Sequence, residues 1–332
     1  MKVLFFIFLL LVLGGCSHPQ GKSYEFRDAM FFDVKDSVQE VCIDSPLIGG
    51  WSRSYMMDNF LVICDHRSWD NQIKIFNKND FSYIGGAGCM GEGPNEITTI
   101  GPLLIDGRHR RIYVSDYGKN AFYIFELDSV IVNPNYFPRD IIKMGTMNFP
   151  DRFFYVNDSM AYVRSIMVNG GEHFQQSVAE WNINTGGMFP SFPGHPSIER
   201  KRSEFAVSLE HDLIVDCYIH HDLLGLYSLD GKLKTFVYGP HWDDRTDNSM
   251  IYFQGAIICH DKILAAYSGG RNWTEEQFVN SFLVFDLEGN YLKTIHFGYK
   301  AVDFCYDEAN DRIFLVLEDE IQFAVLPLKG VL

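Results

Sequence analysis

The chain has 332 residues, 47% of them hydrophobic and 15% aromatic, which is enough apolar material for a sizeable core and too much for intrinsic disorder. Its 43 acidic residues against 28 basic ones give a net charge of -15, a balance that repels nucleic acid and anionic headgroups and excludes both as partners. Its seven cysteines show no C-x-x-C or zinc-ligand spacing.

The first 20 residues, MKVLFFIFLLLVLGGCSHPQ, carry Lys2, an unbroken apolar run over 3–13, and small residues before Cys16. That run is short for a bilayer span and has the layout of a secretory h-region. Leu13-Gly14-Gly15-Cys16 resembles the lipobox of bacterial lipoproteins. The resemblance implies cleavage before Cys16, acylation of that cysteine, and a chain anchored to a membrane but not threaded through it. An ordinary signal peptide with an incidental cysteine fits less well, because Cys16 sits where the small-residue cleavage site ends. Residues 1–15 are therefore expected to be a signal peptide, 16–23 a short linker and 24–332 one domain. Lys2 is the one charged residue in 1–15, so its removal takes the net charge from -15 to -16. Within the lipoprotein pattern, Ser17 in place of Asp implies sorting to the outer membrane. No acidic cluster follows, so the expected placement faces the periplasm. No later stretch is long and apolar enough for a second membrane segment.

Beyond the linker the chain repeats. Apolar runs at 60–63, 112–114, 213–215, 263–265 and 313–316, with a weaker one at 160–163, lie roughly 50 residues apart, the period of four-stranded propeller blades. Each is preceded by a short polar turn such as DGRHR, VNDS, EHD, CHDK or DEANDR. A third run and a fourth follow, joined by hairpin chemistry such as Asp230-Gly231 and Glu288-Gly289-Asn290. The last repeat supplies three runs, while 24–43 is strand-like material with no unit of its own. Pairing the two closes the ring and removes two sheet edges. The expected fold is all-β: a six-bladed β-propeller of four-stranded antiparallel blades, the last closed by the N-terminal strand.

Residues 86–91, GAGCMG, form a literal G-x-G-x-x-G. A dinucleotide site needs a helix after the glycines, and Pro94 with β-branched residues beyond it predicts another strand. The stretch instead resembles the junction of NHL-type repeats. Tyr83-Ile84-Gly85, then Gly91-Glu92-Gly93-Pro94-Asn95-Glu96, Pro102, Ile112-Tyr113-Val114-Ser115-Asp116 and Ala121-Phe122-Tyr123-Ile124-Phe125 follow that order. Together with the lipobox, the chain resembles the TolB-like six-bladed propeller lipoproteins of Gram-negative bacteria. That resemblance implies a fold but no single activity.

In such blades, second-to-third-strand loops and inter-blade crossovers emerge on one face, and these are the long connections here, whereas the hairpins of the other face read as short. Binding residues concentrate on long loops of a rigid scaffold. Trp69, Tyr117, Arg164, His220, His221, Trp242, Arg245, Arg271 and Trp273 are the candidate partner-binding residues, with Arg67, Lys119, His173 and Phe174 beside them. Trp51 is assigned to the core. The expected role is non-enzymatic capture of a protein, peptide or glycan by a monomer, with no cofactor. The alternative is a metal-dependent hydrolase or lyase of lactonase type at the channel mouth, its metal held by Asp65, Asp116 and Asp216. His220-His221-Asp222 reads as a polar turn and Glu92 with Glu96 as turn charges. The cysteines after Cys16 read as buried thiols.

Overall fold

In the computed structural model, residues 21–139, 141–144, 148–168, 174–190, 192–245 and 247–332 are described. Cys16, the leader and His173 lie outside them. The periodic apolar runs become the second strands of six blades: Phe60–Asp65, Arg111–Asp116, Met160–Val168, Leu213–Tyr218, Lys262–Arg271 and Arg312–Leu317. Each is flanked by an inner strand that faces the central channel and by a third strand on its other side. The inner strands are Ser52–Met57, Ile100–Asp106, Asn148–Asn157, Ser203–Ser208, Met250–Cys259 and the last part of Tyr291–Asp307. That 17-residue strand pairs with Val279–Asp286 as the outer strand of blade five and then with Arg312–Leu317 as the inner strand of blade six.

The second strands read as continuous apolar runs because both of their faces are covered. Side chains alternate across a strand, so Leu61 and Ile63 pack toward blade six while Val62 and Cys64 pack toward blade two. The same split recurs around the ring. Six buried clusters lie one at each blade interface, and the last joins Phe314 and Val316 to Leu61 and Phe76. Among the described residues the core is thus a set of six apolar seams, with no single central mass.

The N-terminal segment runs outside three blades. Gly21–Ser23 pairs in parallel with Leu233–Tyr238 as a fifth strand of blade four, and Phe31–Asp33 pairs in parallel with Tyr291–Asp307 on blade five. Gln39–Glu40 then pairs antiparallel with Phe323–Pro327, supplying the fourth strand of blade six. Tyr24 fastens this belt: its ring packs on Phe285 and Tyr291, and its hydroxyl donates to Asp222 Oδ1 at 2.8 Å.

Two expectations need correction. The third-to-fourth connection of blade two is long and contains the helix Leu127–Val132, which buries Leu127 and Val130 against blade one. A six-residue helix carries too few turns for its period to register in the sequence. Of the cysteines, Cys64, Cys217 and Cys259 are buried in the seams and Cys305 is half-buried, but Cys42 and Cys89 are exposed. Both lie where the chain leaves sheet pairing, so no second layer covers them.

Candidate functional site

The inner strands do not run straight at the channel. Register shifts interrupt the pairing at 100–103, 151–153, 251–256 and 301–303, so four of the six inner strands are bulged near the same end. A bulge turns an extra side chain out of the ladder. At 151–153 that residue is Arg152, held at φ 50, a left-handed conformation that costs an ordinary side chain roughly 1–2 kcal/mol. The strain has a product: the Arg152 guanidinium stands in the channel wall.

Two cavities follow. One of about 700 Å³ opens on the long-loop face and a second of about 350 Å³ continues down the channel. Arg152, Glu204, Gln254 and Val302 line both, so these side chains stand at the boundary between them. The wall of the larger cavity comes from crossovers and second-to-third-strand loops, as in Trp51, His66, Arg67, Gln277 and Glu318, and from the inner-strand residues Ser52 and Arg53. Trp51, expected in the core, is 67% exposed at the lip, with the Arg67 guanidinium over its ring at 5.1 Å. It precedes the inner strand, where the chain has not yet entered a seam.

Below the lip lies an ion network. Arg152 Nε meets Glu204 Oε2 at 2.8 Å and Arg164 Nη1 meets Glu204 Oε1 at 2.6 Å; Arg164 also pairs with Asp151. Burial alone would raise the Glu204 carboxyl, but Arg152 and Arg164, with Arg53, hold it below the usual range. Asp303 goes the other way, because burial outweighs Arg152 and the two hydrogen bonds from Ser54, through N at 2.7 Å and Oγ at 2.9 Å. His66 is pushed down by burial and then by Arg53, which keeps it neutral near pH 7.

Of the residues singled out from sequence, Arg67 lines this cavity and the nine partner-binding candidates do not. Trp69 and Trp273 are 85% and 88% exposed on their loops, and Arg271 is exposed beside Trp273. Arg245 is exposed and paired with Asp243. Trp242 packs in a ring cluster with His195 at 4.9 Å and Tyr238 at 5.0 Å. Tyr117 donates to the Pro150 carbonyl at 3.1 Å. His220 and His221 diverge, their Nδ1 atoms donating to the carbonyls of Met250 at 2.9 Å and Asp243 at 3.1 Å. Arg164 is buried and reaches the cavity through Glu204. Lys119 donates to the carbonyls of Gly93 and Glu96 at 2.6 Å each, bracing the loop after the glycine run, and no helix follows those glycines.

Asp65, Asp116 and Asp216 do not come together. Each ends the second strand of a different blade and is engaged there. Asp65 accepts from the Gly49 and Arg67 amides, Asp116 from those of Thr98, Thr99, Gly118 and Lys119, and Asp216 pairs with buried Lys201. They brace the crossover into their own blade. Among the described residues no group of three or more His, Cys, Asp or Glu is placed to hold a metal ion. Arg53, Arg152 and Glu204 escaped the sequence reading because an isolated charge in a strand gives no local signal. The alternation Ser52-Arg53-Ser54 was the available hint, since a polar triplet cannot face a seam on both sides.

Residues 41–161 match the DUF5128 family, described as a 6-bladed beta-propeller. No curated protein matches the chain. Among solved structures, a Bacteroides fragilis protein described as exported aligns with TM-score 0.59 at 10% identity, covering 91% of this chain and 97% of its own. A DUF4221 member from Bacteroides vulgatus aligns with TM-score 0.56 at 10% identity, over 88% of this chain and 98% of that one. A luciferin-regenerating enzyme aligns with TM-score 0.55 at 11% identity, over 87% and 93%. Likeness at this identity shows the shared fold alone.

Proposed function

We propose that the chain is an exported, lipid-anchored binding module. Its leader is removed before Cys16, the acylated cysteine tethers the propeller to the outer membrane on the periplasmic side, and a protein, peptide or glycan is held on the long-loop face without being chemically changed. The observation that carries the binding reading is the cavity of about 700 Å³ at the channel mouth, within the roughly 300–1,000 Å³ range of ligand pockets. Its polar residues Ser52, Arg53, Arg152, Glu204 and Gln254 project from inner strands, which hold geometry better than loops do. Trp69, Arg271 and Trp273 on the surrounding loops extend the contact area. The fold shared with a protein described as exported supports the envelope placement, as does the resemblance of the N-terminus and the 83–125 junction to TolB-like lipoproteins.

Two sets of variants separate cavity from rim: Trp51→Ala with Arg67→Ala at the lip, and Trp69, Trp242 and Trp273 replaced together by Ala. Partner capture from membrane extract by the full chain is expected to fall at least about tenfold with the lip pair, the loss of one or two anchor residues. Capture that survives both sets would remove the long-loop face as the site.

A further inference from the structure

We propose that the channel-mouth cavity takes an organic monocarboxylate with an apolar body, the carboxylate being held by Arg53. This rests on the reading of that cavity as the binding site and names the chemistry that fills it. Two polar groups on its blade-one wall lack a hydrogen-bond partner among the described residues: Ser52 Oγ, on a residue 3% exposed, and Arg53 Nη1. Unpaired buried polar groups are costly and rare. The neighbouring arginines also carry an Nε without a hydrogen-bond partner, but both are held in ion pairs, Arg152 with Glu204 and Asp303, and Arg164 with Asp151 and Glu204. Arg53 forms no such ion pair among the described residues, although it faces the same cavity.

Charge sets the valence. Of the arginines that line the cavity, Arg152 is taken up by Glu204 and by Asp303 behind it, so Arg53 is a lining cation with no ion pair among the described residues. A monoanion neutralises it, whereas a phosphate dianion adds a negative charge with no partner. The far wall sets the apolar side chains of Ile219, Ile251, Phe278 and Val302 beside Gln254 and Gln277. The four apolar side chains favour an aliphatic or aromatic body.

The test is calorimetric titration of the full chain at pH 7 with N-acetyl-L-phenylalanine and 3-phenylpropionate, each beside its primary amide, and with galacturonate and inorganic phosphate. At least one acid is expected to bind about tenfold or more tighter than its amide, the range of a charge-assisted hydrogen bond, and tighter than galacturonate or phosphate. The stronger acid of the two identifies the source as a chain end or a free aryl acid. Arg53→Gln is expected to abolish the preference while the protein stays folded, since Arg53 acts on Glu204 without a direct ion pair. Acids that bind no better than amides, absence of binding, tighter phosphate binding, or a preference that persists in Arg53→Gln would each overturn the proposal. If acid and amide bind equally and Trp51→Ala weakens both, the carboxylate is wrong and the cavity stands. An acid preference untouched by Arg53→Gln and Trp51→Ala alike removes both.

Discussion

Glu204 bridges Arg152 and Arg164 with its two oxygens, each contact under 3 Å, and its side chain is 13% exposed. Removing one partner from a buried ion network leaves the others uncompensated, at a cost of about 3–5 kcal/mol. Glu204→Gln is therefore expected to destabilise the fold by roughly that amount at pH 7. Because the folded-state carboxyl lies below its unfolded value, the stability it contributes is present above the ordinary glutamate pKa of about 4.3 and is lost as pH falls through the depressed folded value. The gap between parent and variant should be widest near neutrality and shrink below about pH 4. Asp303, raised by burial, has the opposite sign: the native state gains on it as pH falls. It is present in both proteins and cancels to first order. Urea unfolding at pH 7 and pH 3.5 measures the gap; a gap that widens in acid would contradict the network. None of this was visible in the one-dimensional chain, where residues 152, 164 and 204 are separated by up to 52 positions.

Strands and turns divide into those that repeat and those that do not. The second strands were legible because burial on both faces forces uninterrupted apolar runs, and the first-to-second hairpins because Asp58, Arg110, Asp212, His260, Asp261 and Asp311 adopt positive φ in short polar turns. Gly21–Ser23 was read as linker, and Phe31–Asp33 as strand-like material whose partner on blade five was not legible. Each is three residues long, pairs in parallel with an outer strand, and has no period of its own. The residue that fixes this belt is Tyr24, 5% exposed, whose hydroxyl faces a carboxyl already raised by burial. Tyr24→Phe leaves Asp222 with the His241 amide as its remaining donor among these bonds. A loss of about 1–3 kcal/mol is expected. Faster amide exchange over 21–33, with blade one unchanged, would locate that loss in the belt, whereas uniform acceleration across all six blades would show that the belt and the ring do not separate.

For the whole molecule, six apolar seams set the spacing of the inner strands, and the bulges then decide which side chains enter the channel. That order explains what reading the chain could reach. Period and hairpin chemistry specify a ring and its long-loop face, and the loop aromatics Trp69 and Trp273 do stand exposed on it. The cavity at its centre is assembled from Arg53, Arg152, Glu204 and Gln254, one residue from each of four blades, and their convergence exists once the ring is closed. Trp51 was misplaced for the same reason, since a tryptophan one residue before a strand looks like core until the channel beside it is known.

The central claim is that partners engage at the channel mouth. It is tested most directly by photo-crosslinking, with a photoreactive phenylalanine analogue at position 51 or at position 132, where Val132 is 81% exposed at the opposite end. Full-length protein is irradiated in envelope extract and the peptides carrying either position are analysed by mass spectrometry. The account predicts an added mass at position 51 that an excess of the tighter-binding of the two acids suppresses, and none at 132. Adducts at 132 with none at 51 would contradict it.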